Sequence, residues 1–333
     1  MIELIKNLTA LDGVSGNEDS VRDFILSEIK PFCETRVDAL GNIIAFKKGK
    51  KTPVKKIMLD AHMDEVGLII SGITGDGFLR FKALGINTSA LLFKKVRVDG
   101  KVTGVIGGKP IHLTKGDEDK KLPDTDKLYI DIGAKDGADA EESVTLGSRA
   151  VMVSDFTECG DKIISKALDN RIGCAILINL IKEFDEYDFY AVFSVQEEVG
   201  LRGAKTATFG VNPDAAIIIE TTTAADIAGV DKDKTVCNLG GGAAVSFMDK
   251  GTVYDREYYN AALNSSVPAQ PKRAVAGGNN AGAVHLSREG VRTLALSVPC
   301  RYIHSSSSVA DTRDIKSVYE LSKYMIKYIA DDK

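Results

Sequence analysis

The stretch Leu59-Asp60-Ala61-His62-Met63-Asp64-Glu65 decides how this 333-residue chain is read. It closes an apolar segment, residues 55–61, with the texture of a strand, and it delivers a histidine and an aspartate two positions apart. Further on, Asp169, the pair Glu197-Glu198, Glu220 and His304 stand at or just beyond the ends of other apolar or β-branched segments. Open α/β sheets present reactive side chains at the carboxyl ends of their strands. Histidine is scarce, and two of only four belong to this set. Five nitrogen and oxygen donors with one spare carboxylate is what a two-metal hydrolytic centre requires.

Each motif also has a plainer reading. In a regular strand His62 and Asp64 share a face, so the carboxylate could reach the second imidazole nitrogen and fix its tautomer; alone, His-x-Asp is also an ordinary strand end. Asp169, in Lys166-Ala167-Leu168-Asp169-Asn170-Arg171, sits where loop becomes helix. Alone it reads as an N-cap; in a metal centre its two oxygens could bridge ions about 3.5–4 Å apart. Glu197 and Glu198 close the apolar run 189–195, and adjacent residues leaving a strand point in different directions. One carboxylate can then bind metal while the other faces water as general base. Burying both demands cations or hydrogen bonds; a solvated acidic turn is the alternative, weakened by the apolar run before it. Glu220 follows Ala215-Ala216-Ile217-Ile218-Ile219, and His304 follows Pro299-Cys300-Arg301-Tyr302-Ile303. The set contains no thiolate, which favours zinc, cobalt or manganese over iron–sulfur or copper(I) chemistry.

Around these residues the chain changes texture twice. Residues 2–11 have helical spacing, and Ser15-Gly16-Asn17-Glu18 reads as a capping box opening a second helix through Ile29. Strands are expected at 41–46 and 55–61, with Lys47-Lys48-Gly49-Lys50-Lys51 as a solvated hairpin tip between them and not an anion site. From 66 to 153, short β-branched runs (94–98, 102–106, 127–132) alternate with glycine turns, and long helices are absent. The charged stretch 116–126 reads as a loop within that region. A helix at 171–184, strands at 189–195, 215–219 and 294–298, and a helix at 315–329 restore the α/β rhythm. The expected architecture is α/β: a three-layer domain with a mixed, largely parallel sheet, formed by residues 1–65 and 154–333, interrupted by a small barrel-like β domain at 66–153.

Composition narrows the class further. The chain is 44% hydrophobic and 27% charged with a net charge of −4, which gives no reason to expect nucleic acid or an anionic membrane as a partner. No apolar run approaches the length of a bilayer span, and Glu3 and Lys6 interrupt the apolar pattern at the start, unlike a signal peptide. Five cysteines without C-x-x-C spacing suit reduced thiols and a cytoplasmic location. His112, in the β-rich region, and His285 read as packing or backing residues. Gly240-Gly241-Gly242 and the loop at Gly277 read as backbone bends near the active site, because neither has the spacing of a phosphate cradle. No serine or cysteine has a neighbouring histidine and acid to make it a nucleophile.

His62-x-Asp64, residues 166–171, Glu197-Glu198-Val199-Gly200 and Arg301-Tyr302-Ile303-His304-Ser305 together resemble the motif set of the tetrahedral-type, cobalt-activated metalloaminopeptidases, a family that includes glutamyl and leucyl aminopeptidases and members labelled endoglucanase M. The similarity runs from the first helix to the last. It implies two divalent ions, His62 and Glu220 on one, Glu198 and His304 on the other, with Asp169 bridging. It further implies that Glu197 is the general base for a metal-bridging water, that Asp64 orients His62, that the β-rich insert mediates dimerisation, and that dimers build toward a dodecamer. Short peptides are the implied substrates.

The chain also departs from the pattern. Asn280 in Gly277-Gly278-Asn279-Asn280-Ala281-Gly282 stands where relatives commonly carry an aspartate, with a possible effect on substrate pocket or assembly. Glu220 stands where aspartate is frequent. Residues 84–90 lack a second glycine, a change expected to touch only the insert. Two other classes compete: a glycosidase, which needs carboxyls facing across a sugar roughly 5–9.5 Å apart, and a scaffold with a relic site.

Overall fold

Alternation along the strand Ile57–His62 builds the core. Ile57, Leu59 and Ala61 pack with one helical layer, while Met58 packs into a second cluster on the opposite face. The structure, a computed structural model, describes residues 1–110 and 124–331; His112 and residues 116–123 of the charged stretch lie outside the described residues. Helices α1 (Ile2–Ala10) and α2 (Asp19–Ile29) precede strands β1 (Glu34–Val37), β2 (Ile43–Lys47) and β3 (Ile57–His62). Strands β4 (Gly67–Ile73), β5 (Leu79–Leu84), β6 (Lys95–Val98), β7 (Val102–Gly107) and β8 (Tyr129–Asp131) follow, then helix α3 (Gly137–Glu141) and strand β9 (Arg149–Met152). Beyond them come β10 (Thr157–Cys159), β11 (Lys162–Ser165), α4 (Leu168–Glu183), β12 (Phe189–Ser194), α5 (Arg202–Val211), β13 (Ala215–Thr223) and β14 (Ala243–Ser246). The chain ends with α6 (Arg256–Leu263), β15 (Ala269–Lys272), α7 (Ala281–Val284), β16 (Arg292–Arg301), β17 (Ser308–Asp311) and α8 (Thr312–Asp331).

The large sheet has the order β1-β2-β12-β3-β13-β16-β17-β11-β10, with β14 and β15 branching from β16. Its four central strands, β12, β3, β13 and β16, are parallel, and most of the flanking pairs are antiparallel. Parallel strands bring their carboxyl ends to one edge, so the residues after β12, β3, β13 and β16 meet there. Helices α1, α2, α4, α6 and α8 cover one face and α5 and α7 the other, which gives three layers. Strands β4-β5-β8-β7-β6-β9 close into an antiparallel barrel. Its interior holds Leu68, Ile70, Leu79, Phe81, Val96, Val98, Ile106 and Ile130, a core separate from that of the sheet. Arg97 on β6 ties the barrel to the sheet domain through paired bonds to Asp12 at 2.8 and 2.5 Å.

Three local expectations are corrected. The 47–51 lysines are not a hairpin tip, because β12 lies between β2 and β3; Lys48 pairs with Asp188 and Lys50 with Asp185, each at 2.8 Å, at the turn leading into β12. Ser15 does not cap α2: its hydroxyl is bonded to Asp64 instead, and Glu18, expected to complete the box, accepts from the Gly16 and Gln196 N–H groups. The Gly240-Gly242 bend does not line the site. Its two N–H groups at Gly240 and Gly242 bond the Asp314 carboxylate in the first turn of α8, at 2.7 and 2.8 Å.

Candidate metal centre

His62 ends β3 with its side chain 1% exposed. Its Nδ1 lies 3.1 Å from the Asp64 carbonyl and 3.4 Å from the Asp64 carboxylate, which leaves Nε2 directed at Asp169 and Glu220, each 3.4 Å away. Glu220 lies in β13, one strand over. Across Asp169, His304 Nε2 is 3.3 Å from the second Asp169 oxygen and 3.2 Å from Glu198. Asp169 therefore turns one oxygen to each histidine. Potential ligand atoms fall into three close groups: His62, Asp169 and Glu220; Asp169, Glu198 and His304; and His62, Glu197 and Glu198. All seven residues singled out from the sequence converge.

The backbone explains how. Asp169 does not act as the N-cap: it has non-helical φ/ψ, and its neighbour Asn170 takes that work, accepting from the Gly173 N–H at 3.1 Å and donating to the Ile219 carbonyl at 2.8 Å. The Asp169 carboxylate is thereby free to face the histidines. The Asp64 carboxylate accepts the N–H groups of Glu197 at 2.9 Å and Glu198 at 3.1 Å, and the Ser15 hydroxyl at 2.6 Å. It thus holds the turn after β12 as well as bordering His62. Gly85 approaches Glu198 so closely that a Cβ there would meet a carboxylate oxygen at 3.1 Å. Asn87, Ser89 and Ala90 line the same cleft, so the 84–90 stretch bears on the site and not on the insert alone.

Electrostatics follow from burial. It pushes Glu197 well above the ordinary carboxylate range, with Glu220, Glu198 and Asp64 adding to the effect against His62. Burial likewise pushes Glu220 up to about 7, and raises Glu198. Asp169, although buried, is held far below its usual range by His304 and His62. Burial lowers His304, but Asp169 and Glu198 more than reverse this and bring it to about 11. Five carboxylates against two imidazoles set more acids than bases among largely buried side chains. Asp169 Oδ1 and Glu198 Oε1 are sealed from solvent without a hydrogen-bond partner. Such atoms are costly unless a cation satisfies them, so the residues present fit divalent metal.

The sequence reading missed Ser15 and Glu18, whose contacts span 49 and 178 positions. It also missed the support beneath His62. Asn280 donates to Asp60 at 2.6 Å and Ser194 at 2.8 Å, fully buried. An amide belongs opposite Asp60, where a second carboxylate would repel it. Asn279, and not Asn280, lines the cleft. His285 is half-buried at the end of α7, bonded to the Ala281 carbonyl at 2.7 Å, away from the cluster. The cleft itself measures about 1030 Å³ and runs from the cluster past Thr221-Thr222-Thr223, Lys272 and the Gly277 loop.

A family profile described as M42 glutamyl aminopeptidase matches residues 41–321. The chain belongs to the M42 aminopeptidase family. A putative aminopeptidase of Acetivibrio thermocellus is 40% identical over 96% of this chain and 97% of its own length. An aminopeptidase from the archaeon Desulfurococcus kamchatkensis superposes with a TM-score of 0.93 at 36% identity, over 100% of this chain and 95% of that one. The TET1 peptidase of Pyrococcus horikoshii, described as assembling into a tetrahedron or a large octahedral shell, gives 0.86 at 33% identity, over 97% and 98%. M42 proteins are metallopeptidases, and this one is an aminopeptidase with carboxylate–histidine groups suited to metal. The glycosidase and relic-scaffold readings are not favoured. No described helix is long and apolar enough to cross a membrane.

Proposed function

We propose that this M42 protein is a dinuclear aminopeptidase in which His62 and Glu220 hold one divalent ion, Glu198 and His304 the other, and Asp169 both. The observation that carries this reading is Asp169 itself, with one oxygen toward each histidine and an Oδ1 sealed from solvent without a hydrogen bond. The absence of thiolate from the donor set suits zinc, cobalt or manganese. Bound ions of this kind polarise a peptide carbonyl and make water a nucleophile near neutral pH. Glu197 serves as general base: raised by burial, its carboxylate takes a proton from water and returns it to the leaving amine. Asp64 fixes the ring of His62 and, through the Glu197 and Glu198 N–H groups, sets where both glutamates leave the backbone.

Short peptides, entering by their free amino end, are the substrates, and nucleic acid and membrane are not partners of a chain with net charge −4. The barrel mediates dimerisation, and dimers assemble further toward a dodecamer, as the likeness to a shell-forming peptidase supports. Five unpaired cysteines support a cytoplasmic location. Hydrolysis of an aminoacyl-anilide panel, before and after chelation and restoration of cobalt, zinc or manganese, tests the centre. Activity should vanish and return with two ions bound per chain. Turnover that survives complete chelation, or saturation at one ion, overturns the proposal.

A further inference from the structure

Asn279 lines the cleft although only 2% of it is exposed, and the mechanism above gives it no part. Its Oδ1 accepts the Ala281 N–H at 2.8 Å, which identifies that atom as the oxygen, because a backbone N–H only donates. Nδ2 then stands 3.0 Å from the Tyr254 hydroxyl. Tyr254 has one proton to give, and the Asp249 carboxylate takes it at 2.5 Å, against 3.3 Å to Asn279 Oδ1. Toward Asn279 the tyrosine oxygen is therefore an acceptor. Asp249 is fixed in turn by the Gly251 and Thr252 N–H groups, each at 2.8 Å, and the Lys250 N–H bonds the Gly277 carbonyl at 2.9 Å. Asp249, Tyr254 and Asn279 are all buried. Burial pushes the Tyr254 phenol well above its ordinary range, with Asp249 and then Glu220 adding to the effect, so the tyrosine stands within electrostatic reach of that metal-centre carboxylate.

An amide nitrogen carries two hydrogens. Among the described residues, Tyr254 takes one from Asn279 and the other has no acceptor. A buried N–H left unpaired is costly, and that cost lapses when a ligand supplies an oxygen. The space that Asn279 borders is the cleft, and the oxygen every peptide brings there is a main-chain carbonyl. The free amino end is the wrong partner, because an ammonium only donates. We infer that Asn279 binds substrate, its Nδ2 donating to a main-chain carbonyl oxygen of the peptide, with Tyr254 and Asp249 as the positioning residues that fix the amide. The inference rests on the aminopeptidase reading above, and it holds whatever the first side chain is. The carbonyls of the first and second residues offer the same chemistry; an anilide has only the first, a tripeptide both.

The test compares the metal-loaded protein with Asn279→Ala, Asn279→Asp and Tyr254→Phe on an aminoacyl-anilide and a tripeptide that share a first leucine. Asn279→Asp keeps an oxygen for the Ala281 N–H but lacks the donor, so it separates substrate binding from support of α7. With metal content unchanged, kcat/KM should fall roughly 10-fold or more in both Asn279 variants, the scale of one hydrogen bond. A loss on both substrates assigns the first carbonyl and a loss confined to the tripeptide assigns the second; either upholds the inference. Tyr254→Phe should lower kcat/KM several-fold, roughly, and add nothing in the Asn279→Ala background, which an independent structural effect would not reproduce. Calorimetry in a Glu197→Gln background avoids turnover. There Asn279→Ala should weaken leucyl-glycinamide and leave 3-methylbutylamine, which has the same amine and side chain but no carbonyl, unchanged. Wild-type kcat/KM in Asn279→Asp, or equal weakening of the two ligands, overturns the inference. If no substrate is cleaved with any metal, the aminopeptidase reading itself has failed. Calorimetry then decides Asn279 alone: selective loss of leucyl-glycinamide upholds its role, and no selective loss overturns it.

Discussion

His62 and His304 hold matching places on either side of Asp169, but they are built differently. His62 ends a central strand, 1% exposed, with Asp64 and the Ser194–Asn280–Asp60 network behind it. His304 lies in the loop after β16, 37% exposed, where both it and Tyr302 adopt positive φ. Glu220, on the first side, belongs to a strand, while Glu198, on the second, belongs to a turn. A sheet fixes its ligands through packing on both faces, whereas a loop holds its own through a few bonds. One half of the centre is preorganised by the sheet, and the other is held by turns.

Glu197 stands between the halves, so its replacement tests what both share. Glu197→Gln should leave metal content near normal while kcat falls roughly 100- to 10,000-fold, as measured by metal analysis beside anilide kinetics. Loss of an ion would make Glu197 a ligand and not the base. The next largest effect separates the halves. His62→Ala removes the imidazole that three buried carboxylates, Asp64, Asp169 and Glu220, all face, and should strip both ions after gel filtration and lower Tm. His304→Ala should retain the ion on the sheet side, giving about one per chain. Equal losses in the two variants would break the comparison.

A pH titration of metal binding should be gentler. Without metal, burial holds Glu220 at about 7, and Asp169 and Glu198 hold His304 at about 11, so both carry protons at pH 6. Binding expels those protons, and affinity should therefore rise with pH. The rise from Glu220 ends above its value near 7, while the contribution of His304 continues through pH 8. Chelator competition at pH 6, 7 and 8 measures it, and a flat profile would contradict the assignment of both groups as ligands.

The sheet half was also the more legible from sequence. β3 and β13 announce themselves as apolar runs, and a polar residue at the tip of such a run is conspicuous: hence His62 and Glu220. Glu198 shows itself at the close of the apolar run 189–195 and His304 after residues 299–303, but the turns that aim them are not readable. Asp169 read alone as an N-cap, because nothing local shows that Asn170 will take that place. α5 escaped notice since its buried stripe, Gly203, Ala204, Ala207, Thr208 and Val211, is made of small residues with a faint apolar signal. The hairpin expected between β2 and β3 failed because β12, more than a hundred positions later, enters between them. Sequence displays what a strand ends with; it does not display which distant segment will lie beside it.

Ser15 is the clearest case of that, and its substitution should have the smallest effect. Its hydroxyl gives Asp64 one bond of 2.6 Å, from a loop ahead of α2. In Ser15→Ala the Asp64 carboxylate keeps the Glu197 and Glu198 N–H groups and its contact with His62. One lost hydrogen bond in such a network amounts to about 1 kcal/mol, or a few-fold in affinity. Because Asp64 touches the ring of His62 and the backbone of Glu198 alike, both ions should weaken together and by similar factors. A chelator-dye titration that resolves the two binding steps reads this directly. Weakening confined to the His62 ion would show that the turn at Glu198 stands without Asp64, and the difference between the two halves would then lie in exposure alone.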